Sequence, residues 1–379
     1  MTGRLPFTGR LRRGGAGRRR ARGGLRVLAY HRVADPERTP ELEPALVSAT
    51  PVQFRNQMEH LARRYRVLSL EQVLAAFRRG HALRRRSVLL TFDDGYRDFA
   101  ENAWPVLKHL RLPASLFVPT AYPGRPDRAF WWDRLHRLLG EPTSSGDGPT
   151  PVDAPPLLGQ GQPTPEISRM RSLMKGLTHE EVERLVDHLG ERAPCPNTPT
   201  RPAVLDWDEL RTLAREGLAL GAHTRWHAPL TCTDEARVRE ELRGSLEELR
   251  ARTGPVPAVV TYPYGFHDER VVGIARQEGF ELGFTCITGQ NRVGRTDPLR
   301  LRRTNVTRNT VGFLFRLRMR PWFATVDRWR QRDGGPTSPE ASAAVERLRT
   351  ALGNLSTPQG EPREEHQGER REEHQGERP

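Results

Sequence analysis

The feature that most constrains the fold of this 379-residue chain is a short apolar run that leads directly into two adjacent carboxylates. Residues 88–92 are apolar or β-branched, and Asp93, Asp94 and Gly95 follow without a break. Such a run is typical of a strand covered on both faces, and Gly95 permits the tight turn that leaves both acids at the carboxyl end of that strand. An isolated Asp-Asp-Gly is also typical of a turn before a helix, here one that would begin near Arg97. Features elsewhere in the sequence are needed to distinguish the strand end from the isolated turn.

Strand and helix patterns alternate over residues 25–121 and again from residue 205. Apolar spacing predicts a helix over 51–64 with Thr50 as its N-cap, and a long charged helix over 234–252. The predicted strands are residues 25–30, 88–92, 113–118, 218–222, 258–262, 280–285 and 299–306. About seven strand–helix repeats predict an α/β fold, either a parallel barrel or a doubly wound sheet.

Residues 122–200 interrupt this alternation, and we interpret them as a helical insertion on the rim of a barrel. The aromatic cluster Phe-Trp-Trp-Asp at 130–133 opens a helix, a stretch rich in Pro, Gly and Ser covers 141–165, and a helical pair fills 166–192. The aromatic side chains either pack the insertion onto the barrel or form a platform on which a sugar ring stacks. Both interpretations stay open at the level of the sequence.

The two ends of the chain differ in composition from residues 25–310, the predicted barrel domain. Residues 1–24 form a basic arm that we expect to be disordered, and nine arginines with no acidic residue fall within residues 1–26. Residues 311–333 are basic and amphipathic, and residues 334–379 are predicted to be a disordered tail that ends in a tandem octapeptide repeat.

The net charge of +14 allows several partners for the basic arm. An anionic membrane surface or an acidic polymer fits an arginine-rich arm, although a solvated tail fits equally well. No nucleic-acid motif follows the arm, so we expect no specific nucleic-acid partner. We find neither a signal peptide nor a stretch apolar enough to cross a membrane, and we expect a cytoplasmic or inner-membrane-associated protein. Three scattered cysteines without CxxC spacing argue against a disulfide framework.

Two histidines with ligand-like spacing follow another predicted strand. His223 and His227 lie four residues apart in His-Thr-Arg-Trp-His, a spacing that can bring both imidazoles onto one ion. Two imidazoles and one carboxylate from the Asp93–Asp94 pair would make a zinc-type set with positions left for water and substrate. The second aspartate would then be available as a base, as metal-assisted hydrolysis requires.

Three motifs together resemble the polysaccharide deacetylase family, that is, the NodB-homology domain or carbohydrate esterase family 4. They are Thr-Phe-Asp-Asp-Gly at 91–95, His-Thr-Arg-Trp-His at 223–227 and Tyr-Pro-Tyr-Gly at 262–265. Tyr-His-Arg-Val at 30–33 and Phe-Trp-Trp-Asp at 130–133 further resemble a bacterial subgroup of that family. The resemblance implies a distorted (β/α)7 TIM-like barrel and a carbohydrate substrate, whose N-acetylated sugars lose their acetyl groups by hydrolysis.

The resemblance also implies roles for single residues. Asp94, His223 and His227 should hold one divalent metal ion. In this family that ion is most often zinc, although other divalent transition metals fit the same three ligands. Asp93 should act as general base, and the backbone N–H of Tyr264 should stabilise the oxyanion.

The sequence departs from the family pattern at two positions. No late histidine is available as general acid, so His31 is the natural replacement, unless it is a buried structural histidine. Thr261 stands where many members have an arginine that orders the base, and Arg303 could supply that function from the last strand. Two further hypotheses remain: a NodB-like amidohydrolase that acts on a small non-sugar amide, and a sugar-binding protein that has lost catalysis.

Overall fold

The structure, a computed structural model, describes residues 23–125, 127–140, 165–191, 203–320, 323 and 339–355. Its centre is a curled parallel sheet. The strands of the described residues are β1 (Leu25–Tyr30), β2 (Arg32–Val33), β3 (Val47–Ala49), β4 (Arg66–Leu68), β5 (Ser87–Phe92), β6 (Ser115–Val118), β7 (Ala219–Ala222), β8 (Val259–Thr261), β9 (Leu282–Phe284) and β10 (Thr304–Asn305).

The main sheet has eight strands, and every pairing in it is parallel. Seven strands follow one another in the order β10-β1-β5-β6-β7-β8-β9, β4 pairs with β5 beside this path, and β2 and β3 form a separate pair. A parallel bridge between Phe284 and Leu301 joins β9 to the segment that leads into β10. The sheet therefore curls into a half-barrel, and the predicted distorted (β/α)7 barrel is confirmed.

Helices surround the sheet and fill the loop between β6 and β7. The α-helices of the described residues are α1 (Pro51–Arg64), α2 (Leu70–Arg78), α3 (Trp104–His109), α4 (Trp131–Gly140), α5 (Pro165–Met174), α6 (His179–Glu191), α7 (Trp207–Arg215), α8 (Glu235–Arg239), α9 (Ser245–Thr253), α10 (Glu269–Gln277), α11 (Gly312–Arg318) and α12 (Pro339–Leu355). Short π-helical segments, Phe99–Ala103 and Glu240–Gly244, precede α3 and join α8 to α9. Helices α4, α5 and α6 lie within the predicted insertion of residues 122–200.

Strands β1 and β5, which lead into the site, are buried over their whole length because most of their residues are apolar. Every residue of β1 and β5 is buried. Tyr30 and Phe92, the last residues of these two strands, stack at 5.3 Å between ring centroids, and Phe54 of α1 packs against both. Helix α1 begins where the sequence predicts, since Thr50 and Gln53 form a reciprocal capping box. This rigid core fixes the carboxyl ends of β1 and β5.

Two predictions about the carboxyl-terminal part were wrong in detail. The predicted strand over 299–306 is a short 3-10 turn, Pro298–Arg300, followed by the two-residue strand β10, so that Arg303 precedes the strand and does not lie in it. Helix α12 lies inside the 334–379 stretch that was expected to be disordered, and its Val345 and Leu352 are buried in a cluster with α5 and α6. A few apolar side chains suffice for a helix that packs on a neighbour.

Other predictions concern residues outside those described. The basic arm is described only from residue 23, and the octapeptide repeat falls wholly outside. Among the described residues, no helix has the length and apolar character needed to cross a membrane.

Candidate active site

One cavity of about 640 Å³ collects the polar residues that follow the strands. His31 comes directly after β1, Asp93 and Asp94 after β5, and His223 after β7, so the parallel strands deliver all of them to one edge. The cavity lining includes every predicted site residue: His31, Asp93, Asp94, His223, His227, Tyr264 and Arg303. The Asp-Asp-Gly segment is therefore the end of a strand in a site and not an isolated turn.

Asp94, His223 and His227 form a compact buried group with one ligand atom each, and these atoms lie within 4.8 Å of one another. Asp94 Oδ1 is 3.4 Å from Nε2 of His223 and 3.5 Å from Nε2 of His227. Two ligands of a tetrahedral ion at the usual zinc distances lie about 3.3 Å apart, so the spacing fits such an ion.

Two atoms of this group lack a hydrogen-bond partner among the described residues. They are Asp94 Oδ1 and His227 Nδ1, and both are buried. A buried carboxylate oxygen without a donor is costly unless a cation satisfies it. Burial opposes the ionisation of Asp94, but the adjacent His223 and the neighbouring His31 lower its pKa to about 2. The residues present thus fit a divalent metal ion.

Thr261 orients the first histidine ligand. His223 Nδ1 lies 2.8 Å from the carbonyl oxygen of Thr261 and 2.5 Å from its hydroxyl. A carbonyl oxygen only accepts hydrogen bonds, so Nδ1 of His223 carries the hydrogen. The lone pair of His223 is then on Nε2, which faces the other two residues of the group, Asp94 and His227. The sequence showed Thr261 only as a departure from the family pattern, and nothing in it indicated this contact.

The loop that carries His227 is held by a buried carboxylate from the helix behind it. Glu241, in the π-helical segment, accepts hydrogen bonds of 2.9 Å from the backbone N–H groups of Arg225 and Trp226. Thr224 and His227 have left-handed φ values of 61° and 56°. Such backbone is unfavourable for non-glycine residues, and the hydrogen bonds to Glu241 help to offset that cost. Burial lowers the pKa of His227 to about 3, so this imidazole is neutral, as a metal ligand must be.

Arg303 binds Asp93 from the far end of the chain. Its two terminal nitrogens donate to Oδ1 and Oδ2 of Asp93 at 2.9 and 2.8 Å, and its Nε donates to the Thr285 carbonyl at 3.0 Å. Both side chains are 1% exposed. Burial opposes the charge on Asp93, but the Arg303 guanidinium outweighs it and lowers the pKa of that carboxyl. Asp93 is therefore an ionised, oriented carboxylate beside the metal group.

His31 and Tyr264 occupy other parts of the cavity wall. His31 is half-buried and its backbone N–H donates to Ser48 Oγ at 2.9 Å, so its ring belongs to the cavity surface and not to the core. Tyr264 has a left-handed φ of 58°, and its ring packs edge-on against His227 at 4.7 Å.

The aromatic cluster after residue 129 is buried and hydrogen-bonded. Trp131 donates to the Tyr264 hydroxyl at 3.0 Å and Trp132 donates to the Tyr96 hydroxyl at 2.7 Å. Tyr96 in turn donates to Asp133 Oδ2 at 2.7 Å. These contacts favour the packing interpretation over a sugar platform, although both tryptophans reach the cavity wall.

Helices α5 and α12 supply a part of the wall that sequence reasoning missed. Arg169, Arg171 and Lys175 come from the α5 region, and Ala344 and Val345 come from α12. Lys175 lies over the Tyr264 ring at 5.3 Å, and Arg171 pairs with buried Glu43. No signal in the sequence connects these segments with the metal group, because the contacts depend on how the insertion folds back.

Comparisons with known proteins find similar sequences and similar folds. A curated relative, the poly-beta-1,6-N-acetyl-D-glucosamine N-deacetylase of Escherichia coli K12, is 32% identical over 91 residues. That match covers 24% of this chain and spans only 13% of the relative's length.

Solved structures share the fold. A Streptococcus pyogenes deacetylase in complex with acetate has a TM-score of 0.52 at 19% identity, over 79% of this chain and 99% of that one. A Bacillus anthracis protein described as a polysaccharide deacetylase has a TM-score of 0.50 at 18% identity, over 78% of this chain and 69% of that one. At these identities the likeness shows the fold alone.

The family comparison covers the strands that deliver most of the site. The model of the polysaccharide deacetylase family matches residues 80–283, more than half of the chain, and this stretch contains Asp93, Asp94, His223 and His227. The chain belongs to the polysaccharide deacetylase family.

Proposed function

We propose that this chain removes acetyl groups from N-acetylglucosamine units of a saccharide, with one zinc ion held by Asp94, His223 and His227. The observation that carries the proposal is the pairing of that buried ligand group with an ionised carboxylate, Asp93, in a single cavity. The name of the Escherichia coli relative, an N-deacetylase of poly-N-acetylglucosamine, supports the choice of sugar and of an amide bond.

The reaction is hydrolysis of an acetamide to acetate and an amine. When bound, the ion supplies Lewis-acid chemistry, since it polarises the acetyl carbonyl and acidifies water. Asp93 takes the proton from the attacking water, while the charge of Arg303 keeps that carboxylate ionised between turnovers. The backbone N–H of Tyr264 donates to the carbonyl oxygen as negative charge develops there. His31 gives a proton to the nitrogen of the leaving amine.

The contacts of Arg303 suit it to the function of the arginine that many family members carry elsewhere. A bidentate pair fixes both oxygens of Asp93 in one plane, and this leaves one orientation for the lone pair that accepts the proton. Thr261, at the position of the usual arginine, serves His223 instead.

A second candidate is hydrolysis of a small amide that is not a sugar. Side chains from α5 and α12 form part of the cavity wall and limit the length of a substrate that extends toward these helices. This favours a small substrate. Acetate release from N-acetylglucosamine oligomers of increasing length, compared with the monosaccharide, separates the two candidates, because a polymer site gains rate with length.

The decisive experiment compares acetate release by the wild type and Asp93→Asn, with metal content measured on both. We expect the variant to bind metal normally and to lose at least about 100-fold in kcat, since a general base contributes that much. Asp208→Asn, an exposed carboxylate on α7, is the matched control. Wild-type turnover in Asp93→Asn would contradict the proposed mechanism.

A further inference from the structure

A second, larger cavity of about 1380 Å³ lies at the other end of the barrel. Its lining includes Gly24, just before β1, and Ser87, the first residue of β5. The candidate active site follows the last residues of the same two strands. The two cavities therefore open at opposite ends of the sheet.

The lining of this second cavity is strongly basic. Its arginines are Arg26, Arg63, Arg64, Arg85, Arg86, Arg292, Arg316 and Arg320. Its described lining contains one carboxylate, Glu59, which pairs with Arg63 at 2.9 Å. Arg64 and Arg316 are exposed and make no ion pair with any described residue. Burial, followed by the positive charges of Arg316, Arg64 and Arg63, lowers the pKa of His60 in the same wall.

Apolar side chains stand in the solvent next to these arginines. Phe313 is 77% exposed, Val311 44% and Leu314 36%, and all three lie at the beginning of α11. Gly312 and Arg316 of the same helix line the basic cavity. Exposed apolar residues beside a cluster of arginines are typical of a segment that lies in a membrane interface.

We propose that this face docks the protein on an anionic phospholipid bilayer. The guanidinium groups of Arg64 and Arg316 contact lipid phosphates, and Phe313 and Leu314 enter the boundary between headgroups and acyl chains. An acidic polymer or a nucleic acid would use the arginines but would leave the exposed phenylalanine and leucine in water. The apolar group thus favours a bilayer.

Two sequence segments that adjoin this cavity along the chain are also rich in arginine. Gly23, where the described part begins, lines this cavity, and the preceding residues 1–22 contain eight arginines. Arg320 lines it as well, and residues 321–333 combine Trp322 and Trp329 with further arginines. Both sequences are joined to the protein at the basic cavity. The proposal is independent of the reaction, since no residue of the active site takes part.

Vesicle co-sedimentation of the full chain tests the proposal. We expect binding to vesicles of phosphatidylglycerol and phosphatidylcholine, weak binding to phosphatidylcholine alone, and release by salt. Arg64→Gln together with Arg316→Gln should weaken vesicle affinity about 30-fold, because each basic residue near the surface contributes about a factor of five. Phe313→Ser should weaken it about tenfold through lost apolar burial.

Matched control variants show whether the loss of binding is specific to this surface or follows from any loss of positive charge or exposed apolar area. Val52→Ser removes an apolar residue on α1 that is 70% exposed, close to the 77% of Phe313, and that does not line the cavity. Arg215→Gln with Arg243→Gln removes the same charge from helical segments that do not line the cavity. These controls should bind vesicles like the wild type, and acetate release should stay unchanged in every variant.

Three results would overturn the proposal. The first is equal affinity for neutral and anionic vesicles. The second is wild-type binding by the Arg64, Arg316 and Phe313 variants when deletion of residues 1–22 abolishes it, which would assign the contact to the arm. The third is binding to soluble polyglutamate at the affinity seen for vesicles, which would make this a polymer site.

Discussion

The Asp93 carboxylate is held at both oxygens by Arg303, a residue 210 positions further along the chain. Both partners are buried, so neither has water as a substitute for the other. The pair therefore joins the stability of the fold to the orientation of the proposed base. Different substitutions of Arg303 separate the effect on stability from the effect on the orientation of Asp93.

Arg303→Gln should lower both stability and turnover. Loss of one partner leaves a buried charge, which costs about 3–5 kcal/mol in the free energy of unfolding, and the base loses its fixed orientation. Arg303→Lys keeps the charge but not the two parallel hydrogen bonds, so it should recover stability more than kcat. Urea unfolding and acetate release on both variants check this. Equal kcat in Arg303→Lys and the wild type would show that the bidentate geometry is unimportant.

Removal of the metal should abolish turnover and lower the melting temperature. Dialysis against a chelator leaves Asp94 Oδ1 without a cation, and added zinc at about 100 times its Kd should restore about 2.7 kcal/mol of stability. His223→Ala should bind no metal and should melt at the same temperature with or without zinc. A zinc-dependent increase in the melting temperature of His223→Ala would place the ion elsewhere.

His31→Gln tests the general acid. The variant should keep its metal and lose about 100-fold or more in kcat, because the amine leaves without a proton donor. A substrate whose leaving group needs no proton, such as an acetate ester of a phenol, should be hydrolysed at nearly the wild-type rate. An equal loss on both substrates would indicate a structural role for His31.

Asp133→Asn should flatten the dependence of stability on pH. Burial raises the pKa of Asp133 to about 6, so between about pH 4 and 6 the folded protein holds a proton that the unfolded chain releases. Stability therefore falls as pH rises through this window, by up to about 3 kcal/mol. The amide of the variant would resemble the protonated acid and would lack that loss. Unfolding curves at pH 4 and pH 7, with exposed Asp208→Asn as control, measure the difference.

The sequence predicted the site best where the ligands follow long apolar strands. Asp93, Asp94 and His223 come directly after buried runs whose type is clear from the residues alone. Parallel strands bring their carboxyl ends together, so the meeting of these residues follows from the fold class.

The contacts that sequence reasoning missed depend on tertiary packing. The pairing of Arg303 with Asp93 was predicted, but not from a strand pattern, because Arg303 precedes a two-residue strand that is too short to give a period. Thr261 reaches His223 through a backbone carbonyl, which every residue type possesses. Helix α12 carries Val345, Leu348 and Leu352 at helical spacing, but its contact with α5 and α6 depends on how the insertion folds back.

Helix α12 also affects the order in which the active site is completed during synthesis. All the ligands and Arg303 leave the ribosome before Ala344 and Val345, which close one wall of the cavity. A nascent chain thus presents its metal ligands in a more open site than the finished protein does.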